Sequence, residues 1–332
     1  MYVVLYDGSS VRNKLTLSAF RCFAFFNRHP TMSSSRHTVH SYLCCIVLML
    51  SLPFASLVNA DGGGESDTSV STQASAATPA EQLERHLGKP TTRADFHGFV
   101  QHEFEMDGVP CKLVSPAVTG AGTPWIWRAR FWGHEPQLDL ALLRKGWHVC
   151  YCDVSDLFGN QEAIQRWDRF YRLSQRIGLH SKPLLEGMSR GGLVVMRWAA
   201  VNPERVSGIY VDNAVMDIRS WPGGKGAGSG SPNAWQTCLD AYQMTDDQTQ
   251  TFEDGPLHRL SSLVRAGVPI FAMINEADSV VPPSENSDIL VQRYRELGGA
   301  IQELRRPELG HHPHSLKDPA PLVDFALEAV AE

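Results

Sequence analysis

From residue 97 onward, apolar positions follow two alternating spacings. Residues 97–106 and 109–114 are strand-like runs that flank Asp107-Gly108, and Asp-Gly favours a tight hairpin turn. Residues 125–130 read as a strand. Within 135–145, Leu138, Ala141 and Leu142 fall at helical spacing. The alternation continues to the end of the chain. Strands are predicted at 147–154, 182–186, 206–211, 268–274 and 301–305, and helices at 162–177, 191–200, 284–297 and 321–330. Alternation of this kind predicts an α/β fold, a doubly wound and mostly parallel sheet covered on both faces. The opening hairpin adds antiparallel strands at one edge.

Three stretches break the pattern. Residues 213–232 contain SWPGGKGAGSGSP, too glycine-rich for a regular element, and 233–266 then read as helical. Together, about 213–266 form a candidate lid insertion. Residues 61–80 are rich in Gly, Ser, Thr and Ala and read as a flexible linker, so the domain is expected over 81–332. Residues 42–57 are almost continuously apolar, with Arg36 before them and Val58-Asn59-Ala60 after. That is the layout of a secretory signal peptide over 32–60, too short for a comfortable membrane span. The expected location is secreted or periplasmic, with tethering by an uncleaved signal anchor as the alternative. No stable membrane insertion and no lipid anchor are expected. A start at Met32 would make residues 1–31 a mis-annotated extension.

Composition adds little to this. The chain has 332 residues, 43% of them hydrophobic and 20% charged, with a formal charge of -6. Without residues 1–60 the balance is 25 basic against 35 acidic residues, or -10. No basic patch stands out, which argues against nucleic acid as a partner. Four cysteines lie beyond the leader: Cys111, Cys150, Cys152 and Cys238. A disulfide is compatible with an oxidising compartment, and so are buried free thiols. Cys150 and Cys152 share one strand face and should not bridge each other. No metal-ligand spacing is found among the cysteines, and no cofactor is called for.

Gly187-Met188-Ser189-Arg190-Gly191 matches G-x-S-x-G. Alone the pattern is weak. Here an apolar strand precedes it and an apolar helix follows, which is the strand–turn–helix context of a nucleophile elbow. Glycines two residues to each side let neighbouring backbone pass, and the turn lifts the serine Oγ to a helix N-terminus. A serine nucleophile at neutral pH needs a base, and the base needs an orienting carboxylate. The strand at 268–274 runs into Asn275-Glu276-Ala277-Asp278-Ser279-Val280-Val281-Pro282, which makes Asp278 the candidate acid. Glu276 and Asp212 are its rivals. After the last strand comes Gly310-His311-His312-Pro313-His314, with His311 the candidate base and His312 its rival. Three histidines in four residues also raise metal binding, but no other His/Cys cluster in the sequence completes a site. The oxyanion hole should use the N–H of Arg190 and a second donor from Arg130 or Phe131. The Arg190 guanidinium either adds positive charge there or forms a surface salt bridge. Trp132, Trp221 and His314 are candidate substrate contacts. Trp125 and Trp127 fit sugar stacking or the core equally well.

With GMSRG, NEADSVVP and GHHPH in this order, the chain resembles the α/β-hydrolase superfamily over about residues 95–332. The Ser189-Arg190 pair is similar to the elbow of the glucuronoyl esterases, where an arginine follows the serine. The longer runs PWIWRARFWGHEPQLD, LEGMSRGG and GHHPHSLKDP resemble a group of secreted bacterial α/β hydrolases often encoded near polysaccharide-degrading enzymes. The resemblance implies acyl transfer through Ser189, His311 and Asp278 without a cofactor. It departs from the common pattern in the oxyanion loop, which reads Arg128-Ala129-Arg130-Phe131 in place of His-Gly-Gly. The expected partner is a small-molecule or carbohydrate ester. A serine peptidase on the same fold and a non-catalytic binding protein on a hydrolase scaffold are the alternatives. The polar, glycine-rich lid disfavours a lipase.

Overall fold

The computed structural model describes residues 4–5 and 77–331. The stretch 32–60 read as a signal peptide, and most of the stretch 61–80 read as a linker, lie outside the described residues. So does all of 1–31 except the two-residue strand β1 (Val4–Leu5).

The first helix, α1 (Pro79–Leu87), starts inside the stretch read as linker. Thr78 caps it: its Oγ1 accepts from the Glu81 N–H while Glu81 Oε2 accepts from the Thr78 N–H. This capping box satisfies two N–H groups that the helix leaves unpaired. Leu83 on its inner face is fully buried. Three antiparallel strands follow: β2 (Thr92–Phe96), β3 (Phe99–Met106) and β4 (Val109–Ser115). The β3–β4 turn puts Asp107 and Gly108 at φ 53° and 74°, the left-handed pair that matches strand twist.

Strands and helices then alternate. In chain order they are β5 (Trp125–Arg128), α2 (Gln137–Arg144), β6 (His148–Cys152), α3 (Gln161–Arg176), β7 (Leu184–Met188), α4 (Gly191–Val201) and β8 (Gly208–Asp212). The insertion carries α5 (Pro232–Tyr242) and α6 (Leu260–Arg265). The chain closes with β9 (Ile270–Asn275), α7 (Ser287–Glu296), β10 (Ile301–Arg306) and α8 (Ala320–Ala331). The strands form one sheet in the order β1-β10-β9-β8-β7-β5-β6-β4-β3-β2. From β1 to β6 neighbours are parallel, and β4, β3 and β2 run antiparallel.

The sheet is packed on both faces, as its uninterrupted apolar strands require. Helices α1, α3, α4, α6 and α7 share one buried cluster, and α2 and α8 another. Trp125 and Trp127 belong wholly to this packing. Both are fully buried, and Trp127 stacks on Trp167 at 4.0 Å and meets Trp198 edge-on at 5.1 Å. Neither can stack on a substrate sugar. Cys111, Cys150, Cys152 and Cys238 are buried free thiols, with Cys111 opposite Cys152 across β4 and β6.

The glycine-rich insertion is tied to the body. Glu285 accepts from the Ser220 hydroxyl and the Ala227 N–H, and Asn286 Oδ1 accepts from the Met216 N–H. Asn160 Nδ2 donates to the Ala241 carbonyl at 2.6 Å. A third apolar cluster, with Phe158, Leu193, Val215, Ile218, Cys238 and Val281, lies beneath it. Because β5, β7, β8, β9 and β10 are parallel, their following loops emerge along one sheet edge. The candidate residues gather there.

Candidate functional site

Strand β7 ends at Met188 and α4 begins at Gly191, leaving Ser189 and Arg190 to make the whole turn. Ser189 has φ 48°, a left-handed conformation that costs a residue with a Cβ about 1–3 kcal/mol. Three backbone bonds hold it there. The Ser189 N–H donates to the Asp212 carbonyl, and its own carbonyl accepts from the N–H groups of Gly192 and Val215. The glycines divide the work differently from the sequence expectation. A Cβ on Gly187 would lie 2.6 Å from Val195 Cγ2, and one on Gly192 would lie 2.6 Å from Ala214 Cβ. A Cβ on Gly191 would meet only ordinary contacts, at 3.5 Å from Ala129 Cβ. Close passage therefore depends on Gly187 and Gly192.

Ser189 Oγ lies 3.0 Å from His311 Nε2, and His311 Nδ1 lies 2.7 Å from Asp278 Oδ2. The carboxylate sets the Nδ1–H tautomer, which leaves Nε2 free to accept the serine proton. The other Asp278 oxygen accepts from the N–H groups of Val280 and Val281, each at 2.9 Å. Asp278 is thus buried and aimed by its own loop.

The rivals are placed elsewhere. His312 is exposed, its ring 5.0 Å from that of His311, and it makes no hydrogen bond to Ser189. Glu276 is exposed and pairs with Arg305 at 3.6 Å. Asp212 ends β8 and belongs to a second Asp–His pair: its Oδ1 lies 3.0 Å from His314 Nδ1, and its Oδ2 accepts from the Tyr210 hydroxyl and the Ser315 N–H. Burial alone would push the Asp212 carboxyl up, but these hydrogen bonds outweigh it and hold the pKa below the usual aspartate range. His314, a candidate substrate contact, is only 2% exposed.

Polar residues at strand ends hold the histidine loop, and sequence reasoning missed them. Asn213 Nδ2 donates to the His311 carbonyl and Asn275 Nδ2 to the Gly310 carbonyl. Arg306 reaches the carbonyls of Pro313 and Ser315 at 2.7 and 2.8 Å. A polar residue closing an apolar strand, as in Val-Asp212-Asn213 and Ile-Asn275, is the only sequence signal they carry.

The loop after β5 faces the start of α4. Ala129 N–H continues the sheet ladder to the Glu186 carbonyl. Among the described residues, the N–H groups of Arg130, Phe131 and Arg190 donate to no protein acceptor. The Arg130 nitrogen would be 3.9 Å from a Cβ on Gly191, so this donor flanks the elbow. Buried Arg128 grips this loop. Its Nε donates to the Arg130 carbonyl at 3.2 Å and its Nη2 to the His134 carbonyl. Asp139 at 2.5 Å balances its charge, and Glu186 lies 3.6 Å from the same guanidinium. Burial pushes the Glu186 carboxyl well above the usual range, against the pull of Arg128.

The Arg190 guanidinium turns to Asp156, 3.1 Å away, which Arg130 shares at 3.5 Å. The rings of Phe131, Phe158 and Trp221 lie 5.5 to 5.9 Å from it. Trp221 sits beside Arg190, whereas Trp132 donates to Gln101 and packs on Phe96 and Tyr151.

No protein-family model matches the sequence, and no curated protein matches it. Among solved structures, the acylaminoacyl peptidase of Pyrococcus horikoshii superposes over 69% of this chain with a TM-score of 0.51 and 14% identity. The fold is that of the α/β hydrolases. The match spans 40% of the peptidase's own length. A membrane phospholipase A, a bacterial virulence factor, matches over 71% of this chain and 87% of its own, with a TM-score of 0.46 and 16% identity. At 14% identity the peptidase match carries the fold and no substrate.

Proposed function

We propose that the chain is a secreted serine hydrolase that cleaves a carboxylic ester on a carbohydrate-linked substrate. One observation carries the reading: Ser189 Oγ, His311 and Asp278 form a continuous chain of hydrogen bonds at a strained elbow. In the proposed reaction His311 Nε2 takes the Ser189 proton as Oγ attacks the ester carbonyl. Asp278 stabilises the imidazolium. The N–H groups of Arg190 and of Arg130 or Phe131 receive the developing oxyanion. His311 returns the proton to the leaving alcohol, an acyl-enzyme forms, and water releases it by the same route.

The carbohydrate assignment rests on the leader-type run at 42–57 and on the resemblance of the long motifs. Trp221 and Phe131 beside the elbow offer apolar surface for a sugar ring. A panel of acetyl, methyl-glucuronoyl and feruloyl esters beside peptide substrates tests the reading. Turnover of one ester class is expected, and turnover of peptides alone would contradict it. Ser189→Ala is expected to lower kcat on that ester by roughly 10⁴-fold or more.

A further inference from the structure

We infer that His311, His312 and His314 form an inhibitory site for a transition-metal dication such as Zn²⁺, built over the proposed catalytic base. The inference rests on the reading of His311 as that base. One potential ligand atom from each of the three residues lies within 4.8 Å of the others. Three imidazoles with an open fourth position are a known arrangement for zinc. Imidazole nitrogen also suits copper and nickel, so the ligand set selects a class of ion.

The outer contacts favour the same use. Metal-binding histidines nearly always donate their second ring nitrogen to a carboxylate or carbonyl, which fixes the ring and raises its basicity. Here Asp278 holds His311 and Asp212 holds His314, both through Nδ1. That leaves Nε2 of each ring as the ligand. The two carboxylates also offset the charge of a dication, with Arg306 the nearby cation at 4.0 Å from Asp212. His312 completes the set from the exposed side. His134 lies close by, its ring 5.7 Å from His312 and 6.0 Å from His314.

The functional consequence follows from a single atom. A metal on His311 Nε2 occupies the lone pair that must accept the Ser189 proton. The serine then has no base, and the enzyme is off until the ion leaves. No bond is made or broken beyond metal coordination. Because Ser189 and the ion compete for Nε2, removing the hydroxyl should favour the ion.

Equilibrium dialysis against Zn²⁺, with wild type, Ser189→Ala, His312→Gln and His314→Gln, tests the site without any assay of turnover. One Zn²⁺ per chain is expected, bound at least as tightly by Ser189→Ala. Affinity should fall roughly 10-fold or more in His312→Gln and in His314→Gln. Bound Co²⁺ in Ser189→Ala should give the visible spectrum of nitrogen ligation. Absence of stoichiometric Zn²⁺, or equal affinity in wild type and His312→Gln, would overturn the proposal. In wild type, Zn²⁺ should also block labelling by a fluorophosphonate and a chelator restore it. If metal-free wild type fails to label, the catalytic reading fails, while the dialysis by itself still decides whether the metal site exists.

Discussion

Two Asp–His pairs with buried carboxylates lie side by side at the C-terminal edge of the sheet, and only one of them meets Ser189. Asp278 and His311 belong to the loops after β9 and β10. Asp212, at the end of β8, holds His314 from the same histidine loop. Both carboxylates are almost fully buried, and both bond Nδ1. The pairs differ in what surrounds them. Asp278 is braced by two N–H groups of its own loop, and His311 Nε2 opens onto Ser189. Asp212 is braced by Tyr210 and Ser315, and the ring it holds is buried and makes no hydrogen bond to Ser189. Both imidazoles pair with a carboxylate, and the difference lies at the second ring nitrogen, which for His311 faces Ser189.

The largest expected effect separates the two histidines. His311→Gln should lower kcat by roughly 10⁴-fold or more. His314→Gln should leave kcat within about tenfold and should lose about 1–3 kcal/mol of stability, because Asp212 keeps its burial and loses a partner. Steady-state kinetics with denaturant unfolding of both variants gives the comparison. Equal kinetic losses would erase the distinction. Next come the carboxylates. Asp278→Asn should lower kcat by about 10³- to 10⁴-fold with stability little changed, since the amide no longer favours the required tautomer. Asp212→Asn should show the reverse, a stability loss of about 1–3 kcal/mol with modest kinetic change.

The smallest effect is the pH dependence of stability. The folded-state pKa of Asp212 is lowered. Its contribution is therefore present above the ordinary aspartate pKa and is lost as pH falls through the lowered value, where the folded form is protonated too. Asp212→Asn should lose stability less steeply than wild type over that acid range. Denaturant midpoints measured against pH check the sign, and a steeper acid loss in the variant would contradict it.

Much of the fold was legible because its signals are local. Asp107-Gly108 marks a hairpin that forms at that turn, and the sheet strands are apolar runs of strand length. The missed elements have physical reasons. Strand β2 lies at the sheet edge with four of its five residues exposed, so it carries no alternation. Helix α1 hides behind the composition of the preceding stretch, although Thr78-Pro79-Ala80-Glu81 is a capping-box sequence. The site was legible in its parts, while its choices depend on distance across the fold. Nothing local in Gly310-His311-His312 says which ring reaches Ser189. Likewise, Asp156 and Asn213 come to the site from loops remote in sequence from the residues they hold.

In the proposed function Ser189 is a nucleophile activated through His311. Labelling folded wild type and Ser189→Ala with a fluorophosphonate, then locating the adduct by peptide mass spectrometry, tests it most directly. One adduct is expected, on Ser189, and none in the variant. A folded wild type that remains unlabelled, or an adduct on another residue, would contradict it.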